Sequence, residues 1–222
     1  MFPWRENRLL RRALSLYAGD HVLDHVVRNG EQAFARQTRT CELTLLFVDV
    51  AAFSQPDERL GPKDLDGLID SWFEALTDGI VKHNGTVDTY VGDATSAWWG
   101  SNGESAHAHM ACGCAKDLVA QVARLNQDNH SKGWPELKPA IGINTGVVRL
   151  GPYGSSKRLR YSAFGDAVNL ASRLCGLANR HYPHPIVVSE HTQKLLGAET
   201  QSTLLDTVTI KGLEAPVSLY AI

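Results

Sequence analysis

Cysteine is scarce in this chain: four thiols in 222 residues, at Cys41, Cys112, Cys114 and Cys175. So few, in a chain this long, exclude a disulfide scaffold. No C-x2-C occurs and no spaced histidine pair completes a set, so a structural zinc site is not expected. Cys112 and Cys114 fall in a helical pattern, where residues two apart point away from each other. All four are expected as reduced thiols of a cytoplasmic protein. Long apolar runs are missing as well. No stretch approaches the ~18 uninterrupted apolar residues of a membrane span, and the N-terminus lacks a signal peptide's apolar core and small-residue cleavage site. Neither sign of charge dominates: 22 Lys and Arg stand against 24 Asp and Glu, a net of −2. That balance gives no global attraction to nucleic acid or to an anionic membrane. Repeats and low-complexity tracts are absent.

What is present is a hydrophobic content of 43%, enough for one well-buried domain with a short appendage. The appendage is residues 1–40. Arg5, Arg8, Arg11 and Arg12 crowd its start, and Leu9, Leu10, Leu14, Val22, Leu23, Val26 and Val27 suggest two amphipathic helical pieces broken near Gly19. A helical arm packed on the domain or on a partner subunit is the simpler reading. A peripheral membrane-surface contact is the sharper one, weakened because Asp20, Asp24 and Glu31 dilute the basic face.

Residues 41–222 read as the domain proper. Leu43–Val50 is an apolar strand. Leu65, Leu68, Ile69, Trp72, Phe73, Leu76 and Ile80 recur at helical spacing, predicting a helix over 63–83 with Gly85 as its stop. Residues 86–91 and 94–99 read as a hairpin turning at Gly92-Asp93. Ala108 to Leu125 carries a second helix, followed by a polar loop over 126–139. Residues 140–144 and 147–150 read as a hairpin turning at Thr145-Gly146. A third helix covers 165–178, a short strand 186–188, and a final hairpin pairs 203–211 with 216–222. The order predicts an α+β domain, an antiparallel-rich sheet with helices over one face. Its strand–helix–strand–strand opening has the layout of polymerase-like palm domains.

Three constellations carry chemistry. Asp49 ends the first strand and Asp93 sits in the first hairpin turn. Singly, each is accounted for by a helix cap or a turn. Together they favour a shared divalent-metal site, the usual device for displacement at phosphorus. The Val50 carbonyl would add a neutral oxygen, and the turn through Phe53 and Ser54 would offer backbone N–H groups to a phosphate. Next, Asn169 and Arg173 lie four apart on one helical face. An amide and a guanidinium so placed can orient a ribose and stabilise a phosphoryl charge. Alone, local hydrogen bonds and a surface ion pair would be the better account of them. Third is Lys211, between Ile210 and Gly212, solvated surface by itself and a point-charge clamp beside a triphosphate.

Taken together, Phe47-Val48-Asp49-Val50-x-x-Phe53-Ser54, Tyr90-Val91-Gly92-Asp93-Ala94, Gly142-Ile143-Asn144-Thr145-Gly146, Gly154-Ser155-Ser156-Lys157-Arg158, Gly165-Asp166-Ala167-Val168-Asn169-Leu170-Ala171-Ser172-Arg173 and Ile210-Lys211-Gly212 resemble the catalytic domain of class III nucleotide cyclases. The resemblance covers about residues 41–222, and 17–31 resembles the short helical element that often precedes this domain in bacterial cyclases. It implies a βαββαβ, ferredoxin-like or palm-type fold with an extra C-terminal hairpin. It also implies a head-to-tail homodimer with active sites at the interface. Asp49 and Asp93 match the pair holding two Mg2+ or Mn2+ ions per site. Asn169 and Arg173 match the ribose-orienting and transition-state residues, and Lys211 the triphosphate lysine. The pair and the trio would come from opposite subunits. The reaction implied is in-line attack of the ribose 3′-oxygen on the α-phosphorus of a nucleoside triphosphate, with release of pyrophosphate.

The base-reading positions depart from the family pattern. Thr89 stands where adenylate cyclases carry lysine and guanylate cyclases glutamate. Ser162 stands where an aspartate, a threonine or a small polar residue is usual. A hydroxyl donates or accepts, so the pair imposes neither purine pattern. With the purine determinants missing, the expectation leans to a pyrimidine triphosphate, as in the short stand-alone cyclases of anti-phage signalling that make cyclic UMP or CMP. The compact chain, with no sensor domain expected, fits that reading. Adenylate cyclase with rebuilt recognition is the alternative, and guanylate cyclase ranks last because no acid replaces the lysine. A catalytically silent regulatory module is the non-enzyme alternative, opposed by the intact Asp49, Asp93, Asn169 and Arg173. No Gly-Gly-Asp/Glu-Glu-Phe segment marks a diguanylate cyclase, and no basic channel marks a polymerase.

Overall fold

The computed structural model describes residues 3–51, 60–197, 200–209 and 216–222. Two compact units emerge. The first comprises Met1–Cys41 with Val148–Phe164; the second comprises Glu42–Val147 with Gly165–Ile222.

In the first unit, α1 (Pro3–Ala18) and α2 (Asp20–Asn29) meet at Gly19, as the sequence predicts, and a 3-10 turn (Gly30–Phe34) follows. The arm packs on a hairpin rather than standing free: the His25 and Tyr161 rings lie 4.7 Å apart, and the Arg149 guanidinium donates to the Thr38 hydroxyl at 2.7 Å. Leu9, Leu10, Leu16 and Tyr17 of α1 remain exposed.

The second unit is built on a mixed, mostly antiparallel sheet. Its strands are β1 (Arg39–Val50), β2 (Thr86–Val91), β3 (Ala94–Trp99), β4 (Pro139–Ser155), β6 (Ile186–Ser189), β7 (Thr203–Val208) and β8 (Val217–Ala221), in the order β2-β3-β1-β4-β6-β8-β7. β4 runs on into the first unit, where it pairs with β5 (Arg158–Phe164). Alternation along β1 sets the two faces. Leu46, Val48 and Val50 face one core with α3 (Pro62–Lys82), α4 (His107–Ser131) and α6 (Glu190–Leu196). Phe47 faces the other core, against Leu170, Leu174 and Cys175 of α5 (Asp166–Leu177). Helices therefore cover both faces, not the single face expected. The consecutive apolar residues of β4 and β6 are those of strands buried on both sides, but no local pattern says which helix lies on which face.

Four further expectations need correction. The hairpin placed at Thr145-Gly146 is one continuous strand; Thr145 is buried with its hydroxyl bonded to those of Thr44 and Thr192, at 2.8 and 3.0 Å. Gly146 there makes room instead of a turn, since a Cβ would stand 2.9 Å from the Ala167 methyl. The true reversal is at Ser156-Lys157. The polar loop begins later than 126: α4 continues to Ser131, and the Asn126 side-chain amide makes two 2.8 Å hydrogen bonds to the Leu137 backbone. The helix of 62–82 is stopped by Asn84 in a left-handed conformation, one residue ahead of Gly85. β7 closes at Val208, short of the expected 211; residues 210 and 211 lie outside those described.

Candidate active site

Asp49 is the penultimate residue of β1 and projects from the α5 face of the sheet, half-buried. Asp93 follows Gly92 in the two-residue turn between β2 and β3, where Val91 pairs with Ala94. Gly92 has φ +62° and Asp93 does not share it, the requirement of a type II′ hairpin at its first central position. Trp72 of α3, 2% exposed, donates its indole N–H to the Asp93 carbonyl at 2.9 Å and ties the turn to the helix.

These placements bring the two acids together. Burial pushes the Asp93 carboxyl above its ordinary value. A hydrogen bond to Asp49 and the charge of Asp49 push the same way, against the weaker pull of the Asp93 and Val50 backbone N–H groups. A carboxyl raised by its twin is the signature of two acids sharing one site. Two carboxylates and the Val50 carbonyl make an all-oxygen donor set, the kind that hard cations such as Mg2+ and Mn2+ select. The site also opens on a cavity of about 330 Å3 lined by Val50, Leu68, Ile69, Trp72, Gly92, Asp93 and Leu137.

Sequence reasoning missed Arg180. It lies just past α5, and its guanidinium spans the gap from the helix end to β1. Nη1 donates to the Cys175 carbonyl at 3.1 Å; Nη2 donates to Asp49 Oδ2 at 2.6 Å and to the Val50 carbonyl at 3.1 Å. A lone arginine in the polar stretch Asn179-Arg180-His181 carries no signal; only the packing of α5 on the sheet delivers it to Asp49. Trp72 was legible as core, and its amphipathic ring was the available hint that a partner waits for its N–H.

The remaining expected residues lie on other elements. Asn169 and Arg173 share the exposed side of α5, whose buried side carries Leu170, Ala171 and Leu174. Thr89 is half-buried in β2 opposite Ser96, next to a bulge at Asp88. Ser162 is half-buried in β5, in the other unit. Phe53, Ser54 and Lys211 lie outside the described residues. Cys41, Cys112, Cys114 and Cys175 are free thiols. Among the described residues no helix is long and apolar enough to cross a membrane.

Comparison with known proteins gives the same family as the motifs. The chain is 29% identical over 182 residues to adenylate cyclase 1 of Rhizobium meliloti, covering 82% of this chain and 27% of that protein. It spans under two fifths of the length of the curated relatives it matches. Among solved structures, the adenylyl cyclase CyaB from P. aeruginosa matches with a TM-score of 0.77 at 27% identity, over 83% of this chain and 95% of that one. The guanylyl cyclase Cya2 matches with a TM-score of 0.76 at 28% identity, over 83% and 92%. The family description "Adenylate and Guanylate cyclase catalytic domain" fits residues 35–222. With its fold, its motif order and this match in agreement, the chain belongs to the adenylate and guanylate cyclase catalytic domain family.

Proposed function

We propose that this chain converts a nucleoside triphosphate to its 3′,5′-cyclic monophosphate and pyrophosphate, in a homodimer with sites at the interface. The observation that carries the reading is the meeting of Asp49 and Asp93, with the Asp93 carboxyl raised by burial and by its partner. Asp49, Asp93 and the Val50 carbonyl would hold two Mg2+ or Mn2+ ions. Bound there, divalent ions would neutralise the triphosphate and lower the pKa of the ribose 3′-hydroxyl. Asn169 and Arg173, exposed on α5, would orient the ribose and stabilise the phosphoryl charge across the interface. Lys211 would grip the triphosphate, and backbone N–H groups near Phe53 and Ser54 would meet its phosphates. Most of the rate would come from positioning and charge neutralisation. The chain's own contribution to base choice is the pair Thr89 and Ser162, neither long enough nor charged enough to impose a purine pattern. We infer a pyrimidine base, cyclic UMP or CMP as product, and a role in anti-phage signalling from the cytoplasm. Cyclic AMP is the second reading, favoured by the adenylate cyclases among the relatives.

The test is incubation of purified protein with Mn2+ and each of ATP, GTP, CTP and UTP, with products identified by mass spectrometry. Cyclic UMP or CMP supports the pyrimidine site. Cyclic AMP as main product moves adenine recognition to groups other than Thr89 and Ser162. No cyclic product from any of the four overturns the cyclase reading and leaves a silent regulatory module.

A further inference from the structure

Among the described residues, Arg180 makes two of its three hydrogen bonds to oxygens that a divalent ion would need. Its Nη2 stands 2.6 Å from Asp49 Oδ2 and 3.1 Å from the Val50 carbonyl. An oxygen-bound Mg2+ sits about 2.1 Å from each ligand. A guanidinium nitrogen and a metal ion cannot both occupy the space between those two oxygens: they would be in contact, and both are cationic. The third hydrogen bond, Nη1 to the Cys175 carbonyl, tethers the arginine to the C-terminal turn of α5, where the helix favours a cation. That tether is independent of Asp49 and can persist when Nη2 lets go. The Arg180 and Asp49 side chains are 33% and 26% exposed, so the pair is reachable from solvent and reversible.

We propose that Arg180 is an internal cation competing with divalent metal for Asp49 and Val50, so that loading the site requires Nη2 to release both oxygens. The contact holds the carboxylate in place and offsets its charge before metal arrives, and it raises the metal concentration at which the site fills. The guanidinium stays charged at any physiological pH, so this threshold responds to metal concentration and not to arginine titration. The proposal rests on the metal assignment above.

The experiment is Mn2+ binding without nucleotide, reading free ion by electron paramagnetic resonance, on wild type, Arg180→Gln and Arg180→Lys. Loss of a half-exposed competing ion pair should tighten Mn2+ binding about five- to tenfold in Arg180→Gln. Lysine keeps the charge but cannot bridge Cys175 and Asp49 with a fork, so Arg180→Lys should fall between. Adding Asp49→Asn to Arg180→Gln should remove the gain. Unchanged or weaker Mn2+ binding in a folded Arg180→Gln protein overturns the inference while leaving the metal pair standing. No Mn2+ binding to wild type or variant overturns both. Should Arg180→Gln fail to fold, wild type decides alone: its Arg180 side-chain 15N resonance should shift as Mg2+ is added, and a resonance unmoved at saturating Mg2+ overturns the inference.

Discussion

Asp93 carries a conflict that fixes its behaviour with pH. Its carboxyl is raised by burial and by Asp49, so the folded state binds that proton more tightly than the unfolded chain. Such a group stabilises the fold fully below the unfolded-state pKa, and that stability is lost as pH rises through the raised folded-state value. Asp93→Asn removes the charge without changing the shape. At pH 7 without metal it should therefore melt higher than wild type, and the gap should close as pH falls below about 3.9, the ordinary aspartate value. Thermal melts by circular dichroism across that range test this. The proposed metal site would have the opposite sense, since its ligand would be the deprotonated acid: Mn2+ affinity should fall as pH drops through the same raised value. Asp93→Ala should cut the rate of cyclic product formation roughly a hundredfold or more, the scale of losing one preorganised electrostatic contact; single-turnover product formation reads it. The carboxylates were visible in the sequence because an acid ending an apolar strand needs a reason. Arg180 was not, because its significance lies entirely in where its guanidinium ends.

At the level of elements, the site depends on two docking contacts. Trp72 fastens the β2–β3 turn to α3 through one indole hydrogen bond to the Asp93 carbonyl. Trp72→Phe keeps the ring and deletes the donor, so it should cost about 1 kcal/mol in a urea melt. Mn2+ affinity should drop with it as the turn loosens. The second contact is α5 on β4. A Cβ at Gly142 would stand 2.0 Å from the Cys175 backbone nitrogen and 2.3 Å from the Ala171 carbonyl. Gly142→Val must push the helix off the strand, for about 3 kcal/mol or more of destabilisation, read by the same urea melt. Asn169, Arg173 and Arg180 would be displaced together. Long periodic helices and the Gly-Asp hairpin were legible, being local in origin. The Thr145-Gly146 turn misled because glycine before a strand-like run reads as a reversal, whereas here its missing side chain admits a helix.

For the whole molecule, the proposed homodimer places Asp49 and Arg173 in one site from opposite subunits. Asp49→Ala and Arg173→Ala proteins, each inactive, should regain activity on mixing. With free exchange, half the dimers are mixed and each has one intact site, so about a quarter of wild-type activity should return. Failure to recover any activity, with exchange shown by tagged subunits, would rule out the shared site. Base choice, proposed above to rest on Thr89 and Ser162, should respond to substitution of either. Thr89→Lys restores the adenylate pattern at one position and should raise cyclic AMP formation relative to the other products, measured by mass spectrometry on an equimolar mixture of the four triphosphates.

By itself the sequence determined the long helices, the first hairpin and the acids, and it missed β5 and α6. Apolar periodicity set α3, α4 and α5, the Gly92-Asp93 turn followed from backbone sterics, and the ordered motifs identified the family, since each of these is written in residues near one another. The tertiary structure alone decided that α5 covers the second face of the sheet, that Trp72 pins the Asp93 carbonyl, and that Arg180 reaches Asp49 from 131 residues away in the chain. Contacts of that separation depend on how helices dock on strands, and docking depends on space, such as that left at Gly142 and Gly146, which no local pattern records.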